Sequence, residues 1–418
     1  MLFAYRLLIN LIFILSPIII IFRLLKKKEN LYRFKEKYCF FSKKRNEGNL
    51  IWFHGASVGE LQSIIPLIQK FEKNSKIKQI LITSNTLSSS KIINNYTFKK
   101  VVHQFFPIDT NFFAKRFLKY WRPQAIFFID SEIWPNMIRN IKKQNIALGL
   151  INARITKKTY NRWKKFYEFA KKNFESFDLC LACSKESKKF LENLGAKNIN
   201  FIGNIKYAQI HKDKIFLSKN VKNFMSKKVL WCASSTHNNE EIICGQIHKN
   251  LKKKYNNLLT IIIPRHINRI DAIKNDLEKL DLKIHLHESN DQIKKNTDIY
   301  LVNTYGQTKS FYSISKNVFL GGSLINHGGQ NPLEPARFGC NILHGPYIDN
   351  FREIYKFLES IKISKKIMNS NQMETALKKK IFTSKKNNID NQIKLKLLGK
   401  KILSLTYHKV DSLINNEI

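Results

Sequence analysis

The chain is short of acid. Among its 418 residues, 31 Asp and Glu face 73 Lys and Arg, a formal charge of +42. Nucleic acid, an anionic membrane and acidic small molecules are all compatible partners for such a balance. Part of the excess is plainly compositional, because Lys and Asn crowd ordinary helix surfaces such as KKKYNN. Cysteine is scarce and unpatterned. Cys39, Cys180, Cys183, Cys232, Cys244 and Cys340 match neither a disulfide framework nor a zinc spacing. The lone C-x-x-C lies in FDLCLACS, which reads as a buried strand whose positions i and i+3 point to opposite faces. Packed thiols in a reducing compartment are expected. There is no P-loop, no H-E-x-x-H and no G-x-G-x-x-G after the first strand, and the 11 histidines are scattered. Walker-type nucleotide binding and zincin chemistry are excluded, and no metal site is expected.

What is present begins at the N-terminus. MLFAYRLLINLIFILSPIIIIFRLLKKKEN holds about 16 nearly uninterrupted apolar residues between Arg6 and Arg23, short of a comfortable span. No small-residue cleavage site follows. A short signal anchor, an embedded hairpin and an interfacial helix all fit, and Lys26, Lys27 and Lys28 place the body on the cytoplasmic side. From about residue 49, apolar runs alternate with amphipathic stretches: NLIWFHG, KQILITS, QAIFFID, IALGLINA and DLCLACS read as strands spaced by helices. A second series follows in KKVLWCASS, LLTIIIPRH, LKIHLHE, IYLVNT, NVFLGGS and NILHGP. This is α/β architecture with two doubly wound, Rossmann-like domains facing a cleft. The expected domains are an anchor at 1–28, an N-terminal domain at 29–215 and a C-terminal domain at 216–418. The seam lies in the polar stretch 203–224, and a solvated helical tail runs after about 365.

Several strand ends carry chemistry. GGSLINHGGQNPLEPARFGCNILHGP (321–346) packs six of the 15 glycines and three of the nine prolines around one carboxylate, Glu334. Asn331-Pro332-Leu333-Glu334 reads as a helix start, with Asn331 at the N-cap and Pro332 at the first helical position. Exposed N–H groups there suit phosphate, and Glu334 suits sugar hydroxyls or the helix dipole alone. Arg265 follows a strand and Pro264, where its fork can meet a phosphate or carboxylate. NTYGQT (303–308) ends another strand, with Gly306 open to close approach. In the first half, Ser57-Val-Gly-Glu60 fits a capping box, or else sets a general base at the end of the first strand. The helix N-terminus is expected to lower the pKa of Glu60. Asp130 and Glu132 end a third strand, Asn152 and Arg154 a fourth, and SNTLSSS (84–90) offers hydroxyls to sugar or phosphate.

WFHGASVGE, FIDSEIWPN, INARI, LGAKNINFIGNIKY, ASSTHNNEE, IIIPRH and GGSLINHGGQNPLEPARFG, in this order and spacing, resemble the 3-deoxy-D-manno-octulosonic acid (Kdo) transferases of lipopolysaccharide assembly. The resemblance covers the chain to about residue 355. It implies a GT-B fold and metal-independent transfer of Kdo from CMP-Kdo to the tetraacylated, bisphosphorylated lipid A precursor. The site would be the cytoplasmic face of an anionic inner membrane, with no nucleic acid involved. Glu60 matches the family's catalytic base, and Asp130 and Lys206 match positions that stabilise the transition state. Contacts to CMP carry over to Pro264, Arg265, Tyr305, Gly306, Gln307, Asn331, Pro332, Leu333 and Glu334. Two departures stand out: Asn303 and Gln307 replace acids of the family's D-T-x-G-E segment, and Asp130 stands where Glu is usual. The alternative is another GT-B nucleotide-sugar transferase with a different acceptor.

Overall fold

The apolar runs become two seven-stranded sheets in the computed structural model, which describes residues 1–209, 217–287, 292–380 and 386–415. The first sheet contains β1 (Asn49–His54), β2 (Ile77–Ser84), β3 (Val101–Phe105), β4 (Ala125–Ile129), β5 (Ala147–Ala153), β6 (Leu179–Ala182) and β7 (Ile199–Phe201). Their order is β3-β2-β1-β4-β5-β6-β7, with parallel ladders throughout. AIFFI and ALGLINA are buried at every position, as strands covered by helices on both faces must be. Alternate residues supply the two cores: Trp52 and Phe128 pack with Phe117 and Trp121, while Ile51, Phe53 and Phe127 pack with Phe71 on the other face.

The second sheet contains β8 (Val229–Thr236), β9 (Leu258–Pro264), β10 (Ile284–Leu286), β11 (Ile299–Leu301), β12 (Asn317–Leu320), β13 (Asn341–His344) and β14 (Ser364–Lys366). It runs β10-β11-β9-β8-β12-β13-β14, again parallel. Strand order reverses at β1/β4 in one sheet and at β8/β12 in the other, and parallel sheets bind ligands beyond the carboxyl ends of strands at such points.

The chain forms two compact units, Met1–Ile210 with Leu397–Ile418, and His211–Lys396. The expected seam at 203–224 falls partly on residues 210–216, outside those described. The C-terminal segment departs from expectation. Its last stretch belongs to the first unit, where Ile402, Val410 and Ile414 join Leu61, Ile64 and Ile205 in the core. The Lys- and Asn-rich composition hid an apolar stripe within the helix Lys386–Asn415. Three short edge strands, β3, β7 and β14, were also unforeseen, since five or fewer residues of mixed polarity leave no clear period. All six cysteines are buried and none is in a disulfide among the described residues.

The N-terminal helix spans Leu2–Leu25 and is long and apolar enough to cross a membrane, with mean hydropathy 2.5 and little of its surface buried. Pro17 deprives the Phe13 carbonyl of its usual donor, and the Ser16 hydroxyl donates to that carbonyl instead at 2.6 Å.

Candidate active site

In the first unit, chemistry gathers at the ends of β1, β4 and β5. Ser57 caps the helix Val58–Glu72 in a full capping box, so the structural reading of Ser57 and Glu60 holds. Glu60 Oε2 accepts from the Ala56 N–H at 2.7 Å, and Oε1 accepts from the Ser57 hydroxyl at 2.6 Å. The expected drop in its pKa is reversed. Burial, and the neighbouring charges of Glu132 and Asp130, push the Glu60 carboxyl up, outweighing the donors from Ser57 and Ala56. A half-buried carboxylate with raised proton affinity is a stronger base than one relaxed in water.

Asp130, Lys206 and Asn152 are brought together. Lys206 Nζ lies 2.8 Å from Asp130 Oδ2, and the Asn152 amide donates to Asp130 Oδ1. Asn152 Oδ1 accepts from the Ile205 N–H at 2.9 Å, tying β5 to the short 3₁₀ turn Ile205–Ala208 that carries Lys206. Glu132 accepts from Trp134 Nε1 at 2.9 Å and sits 3.4 Å from His54 Nε2. The hydroxyl-rich stretch 84–90 is less open than expected. Thr86 caps the helix Leu87–Ile93, and the hydroxyls of Ser89 and Ser90 turn to the carbonyls of Ala56 and Leu87.

In the second unit the candidate residues collect beyond β8, β9, β11 and β12. Pro264 closes β9, and Arg265 follows, exposed, with its backbone N–H donating to the Thr236 carbonyl. Tyr305 and Gly306 are exposed, Gly306 at φ +84° with open space where a Cβ would stand, and Gln307 precedes the helix Thr308–Tyr312. Asn303 Oδ1 is buried with no hydrogen-bond partner among the described residues, an acceptor left for a ligand's donor. The expected helix start is displaced by one residue. The helix runs Leu333–Arg337 with Pro332 at its N-cap, while Asn331 still accepts from the Leu333 N–H at 3.1 Å. Leu333 is buried as a packing residue, and Glu334 lies 3.6 Å from Lys309.

One residue of this unit escaped the reading of the sequence for individual sites. Glu240 Oε2 accepts from the N–H groups of His237 and Gly322 at 3.0 and 2.7 Å, and Oε1 from those of Ser323 and Leu324 at 3.2 and 3.1 Å. A protein carboxylate thus occupies the anion-binding concavity at the start of the glycine-rich loop. Gly322 sits there at φ +64°, and a Cβ on it would press on His237 at 3.0 Å and His327 at 3.4 Å. The available signal was Glu240 at the start of a helix in ASSTHNNEE.

The sequence pattern of the family described as 3-Deoxy-D-manno-octulosonic-acid transferase (kdotransferase) matches residues 32–209. The 3-deoxy-D-manno-octulosonic acid transferase of Rickettsia bellii is 35% identical, over 94% of this chain and 95% of its own. This chain belongs to the Kdo transferase family. The Haemophilus influenzae transferase of the same name is 30% identical over 84% of each chain. A solved putative UDP-N-acetylglucosamine 2-epimerase from Listeria monocytogenes aligns with TM-score 0.59 over 88% of this chain and 98% of its own, at 14% identity, which speaks to fold alone. The Kdo transferase homologue is thus a glycosyltransferase of the GT-B-like α/β class, with an N-terminal apolar helix as candidate anchor.

Proposed function

We propose that the enzyme transfers Kdo from CMP-Kdo to the tetraacylated, bisphosphorylated lipid A precursor at the cytoplasmic face of the inner membrane, without a metal. Glu60 is the general base. The observation that carries this is its carboxylate in the first helical turn after β1, half-buried beside Glu132 and Asp130, with its proton affinity raised. It removes the proton of the acceptor hydroxyl as that oxygen attacks the anomeric carbon of Kdo. The bond from that carbon to the phosphate oxygen breaks, and CMP leaves with the electron pair. Negative charge gathers on the departing phosphate, and fixed cations answer it. In the first unit Lys206, held by Asp130, is such a cation.

CMP contacts fall to Pro264 and Arg265, to the open turn Tyr305-Gly306-Gln307, and to Asn331, Pro332, Leu333 and Glu334. The free acceptor of Asn303 can accept a hydrogen bond from a hydroxyl or amine of the nucleoside, partly replacing the acid usual there. The basic surface suits the acceptor's two phosphates and an anionic bilayer, and the N-terminal helix keeps the enzyme where its lipid substrate resides. Mass spectrometry of the lipid product tests the reading. Wild-type protein with CMP-Kdo and the precursor should give a Kdo mass increment, and E60Q none. An intact wild type that yields no increment would reject the donor–acceptor pair.

A further inference from the structure

We infer that the N-terminal helix lies in the plane of the membrane, docked lengthwise on its own domain, with one apolar stripe facing lipid and no crossing of the bilayer. The inference rests on the membrane attachment proposed above and adds its geometry.

One narrow stripe of this helix docks, and most of the rest is exposed and apolar. Tyr5, Arg6, Ile9, Ser16, Ile20 and Arg23 recur at helical spacing and turn to the domain. Leu8, Ile14, Leu15, Ile18, Ile19 and Phe22 are among the exposed residues around it. The docked stripe holds four of the helix's polar side chains, and each has a partner. The Tyr5 hydroxyl donates to Asp109 Oδ2 at 2.7 Å, where Asp109 also takes the N–H groups of Asn136 and Met137. Arg6 Nε donates to Asn136 Oδ1 at 3.0 Å, the Ser16 and Tyr38 hydroxyls pair at 2.9 Å, and Arg23 Nε donates to the buried Glu29 at 2.7 Å. Phe13 packs edge-on against Phe113 with ring centroids 5.3 Å apart.

These contacts run from Tyr5 to Arg23, about 27 Å of helix at 1.5 Å per residue, close to the full thickness of a hydrocarbon core. If the helix crossed the bilayer, the domain surface beside it would have to enter the hydrocarbon, taking the half-buried Lys37 and Asn111 with it. Charged groups there carry a heavy penalty. An in-plane helix avoids this, because its docked stripe stays with the protein and its apolar stripe enters the acyl boundary. The surroundings fit a lipid partner of negative charge. Lys26, Lys27 and Lys28 are exposed directly after the helix, followed by exposed Leu31 and Tyr32, the pairing of basic and amphipathic groups that suits the headgroup layer.

Site-selective labelling in phosphatidylethanolamine–phosphatidylglycerol vesicles, with protein added from outside, tests this. The native cysteines are all buried, so L2C and K28C report the two helix ends. Both should react with a membrane-impermeant maleimide without permeabilisation. A bimane on I18C should be quenched more by a nitroxide near the headgroup than by one at the acyl terminus. Labelling of L2C only after detergent, or deeper quenching of I18C, would overturn the in-plane placement while leaving attachment intact. Failure of the protein to bind vesicles, with self-association through the apolar stripe instead, would remove the attachment itself and the inference with it.

Discussion

Lys206 Nζ stands 2.8 Å from an Asp130 carboxylate that is itself held in a left-handed backbone conformation, φ +58°. Asn152, which grips the other oxygen, is also left-handed at φ +57°. Two non-glycine residues so placed cost on the order of 1–3 kcal/mol each. The surroundings hold them there: the Asp130 N–H donates to the Ile151 carbonyl and the Arg154 N–H to the Asp130 carbonyl, both at 3.0 Å. The strain aims an acid and an amide at one ammonium, fixing where the positive charge sits. N152A should therefore destabilise the protein by about 1.5–3 kcal/mol, the worth of hydrogen bonds to a charged group. It should also lower kcat while leaving the KM for donor near wild type. Urea unfolding and steady-state kinetics read the two effects, and an unchanged kcat would show that Asn152 supports the fold alone.

The raised proton affinity of Glu60 has two opposed consequences. As a base it works only when ionised, so activity should climb as pH rises through a value above that of an ordinary glutamate. Its folded pKa exceeds its unfolded one, so its contribution to stability is fully present below the unfolded value and is lost as pH rises through the folded value. At neutral pH the ionised base therefore weighs against folding. E60Q, which mimics the protonated form, should lower kcat about 10²–10⁴-fold with a Tm at or above wild type at pH 7. A thermal melt alongside the assay checks it, and a clear fall in Tm would mean the carboxylate serves mainly as a cap.

Glu240 closes the glycine loop by donating nothing and accepting four backbone N–H groups. Truncation in E240A leaves these donors unpaired, at a cost of at least about 1–3 kcal/mol. The loop leading to Asn331 and Glu334 then loses its fixed path, so the KM for CMP-Kdo should rise tenfold or more. Formate supplies a free carboxylate of the right size. Added formate should recover both Tm and KM in E240A and leave wild type unmoved. Without such rescue, Glu240 acts through packing and not through its charge.

Much of this was legible in the sequence because buried parallel strands are written in unbroken apolar runs. Fifteen residues from QAIFFID and IALGLINA announce two strands and the acids and amides at their ends. The Glu60 turn was readable too, since S-x-x-E is a local pattern. What failed to show was non-local. No periodicity in 49–60 reveals that Glu132 and Asp130 approach Glu60, so the local pattern points to the helix end alone. Nothing near Tyr5, Arg6, Ser16 and Arg23 in the sequence marks them as docking residues, because their partners lie between 6 and 130 residues away. Glu240 is bonded to N–H groups more than 80 residues on.

Arg265 is exposed, and its side chain has no hydrogen-bond or ion-pair partner among the described residues. Its removal should cost the fold within about 0.5 kcal/mol, while a charge-assisted contact to phosphate would be forfeited. R265A should weaken CMP binding, measured by calorimetry, by about tenfold or more with Tm unchanged. Equal affinity for CMP in both proteins would detach Arg265 from the nucleotide.

The C-terminal helix reaches the turn that carries Lys206 through a single missing side chain. A Cβ on Gly399 would fall 2.4 Å from the Tyr207 carbonyl oxygen and 3.1 Å from the Ala208 Cα, both in the turn that carries Lys206. Backbone on both sides leaves no flexible group to yield. Ile205 and Ala208 of that turn share a core with Leu61 and Ile64 from the helix that carries Glu60, and with Ile402 from the C-terminal helix. G399A must therefore push the helix and the turn apart, at the 1–3 kcal/mol typical of overpacking. Lys206 would shift from Asp130 although neither residue is altered. The expected outcome is a fall in kcat larger than the loss of stability explains, and little further loss when K206M is added to G399A. If the two substitutions reduce kcat independently, the C-terminal helix contributes to the core but does not position Lys206.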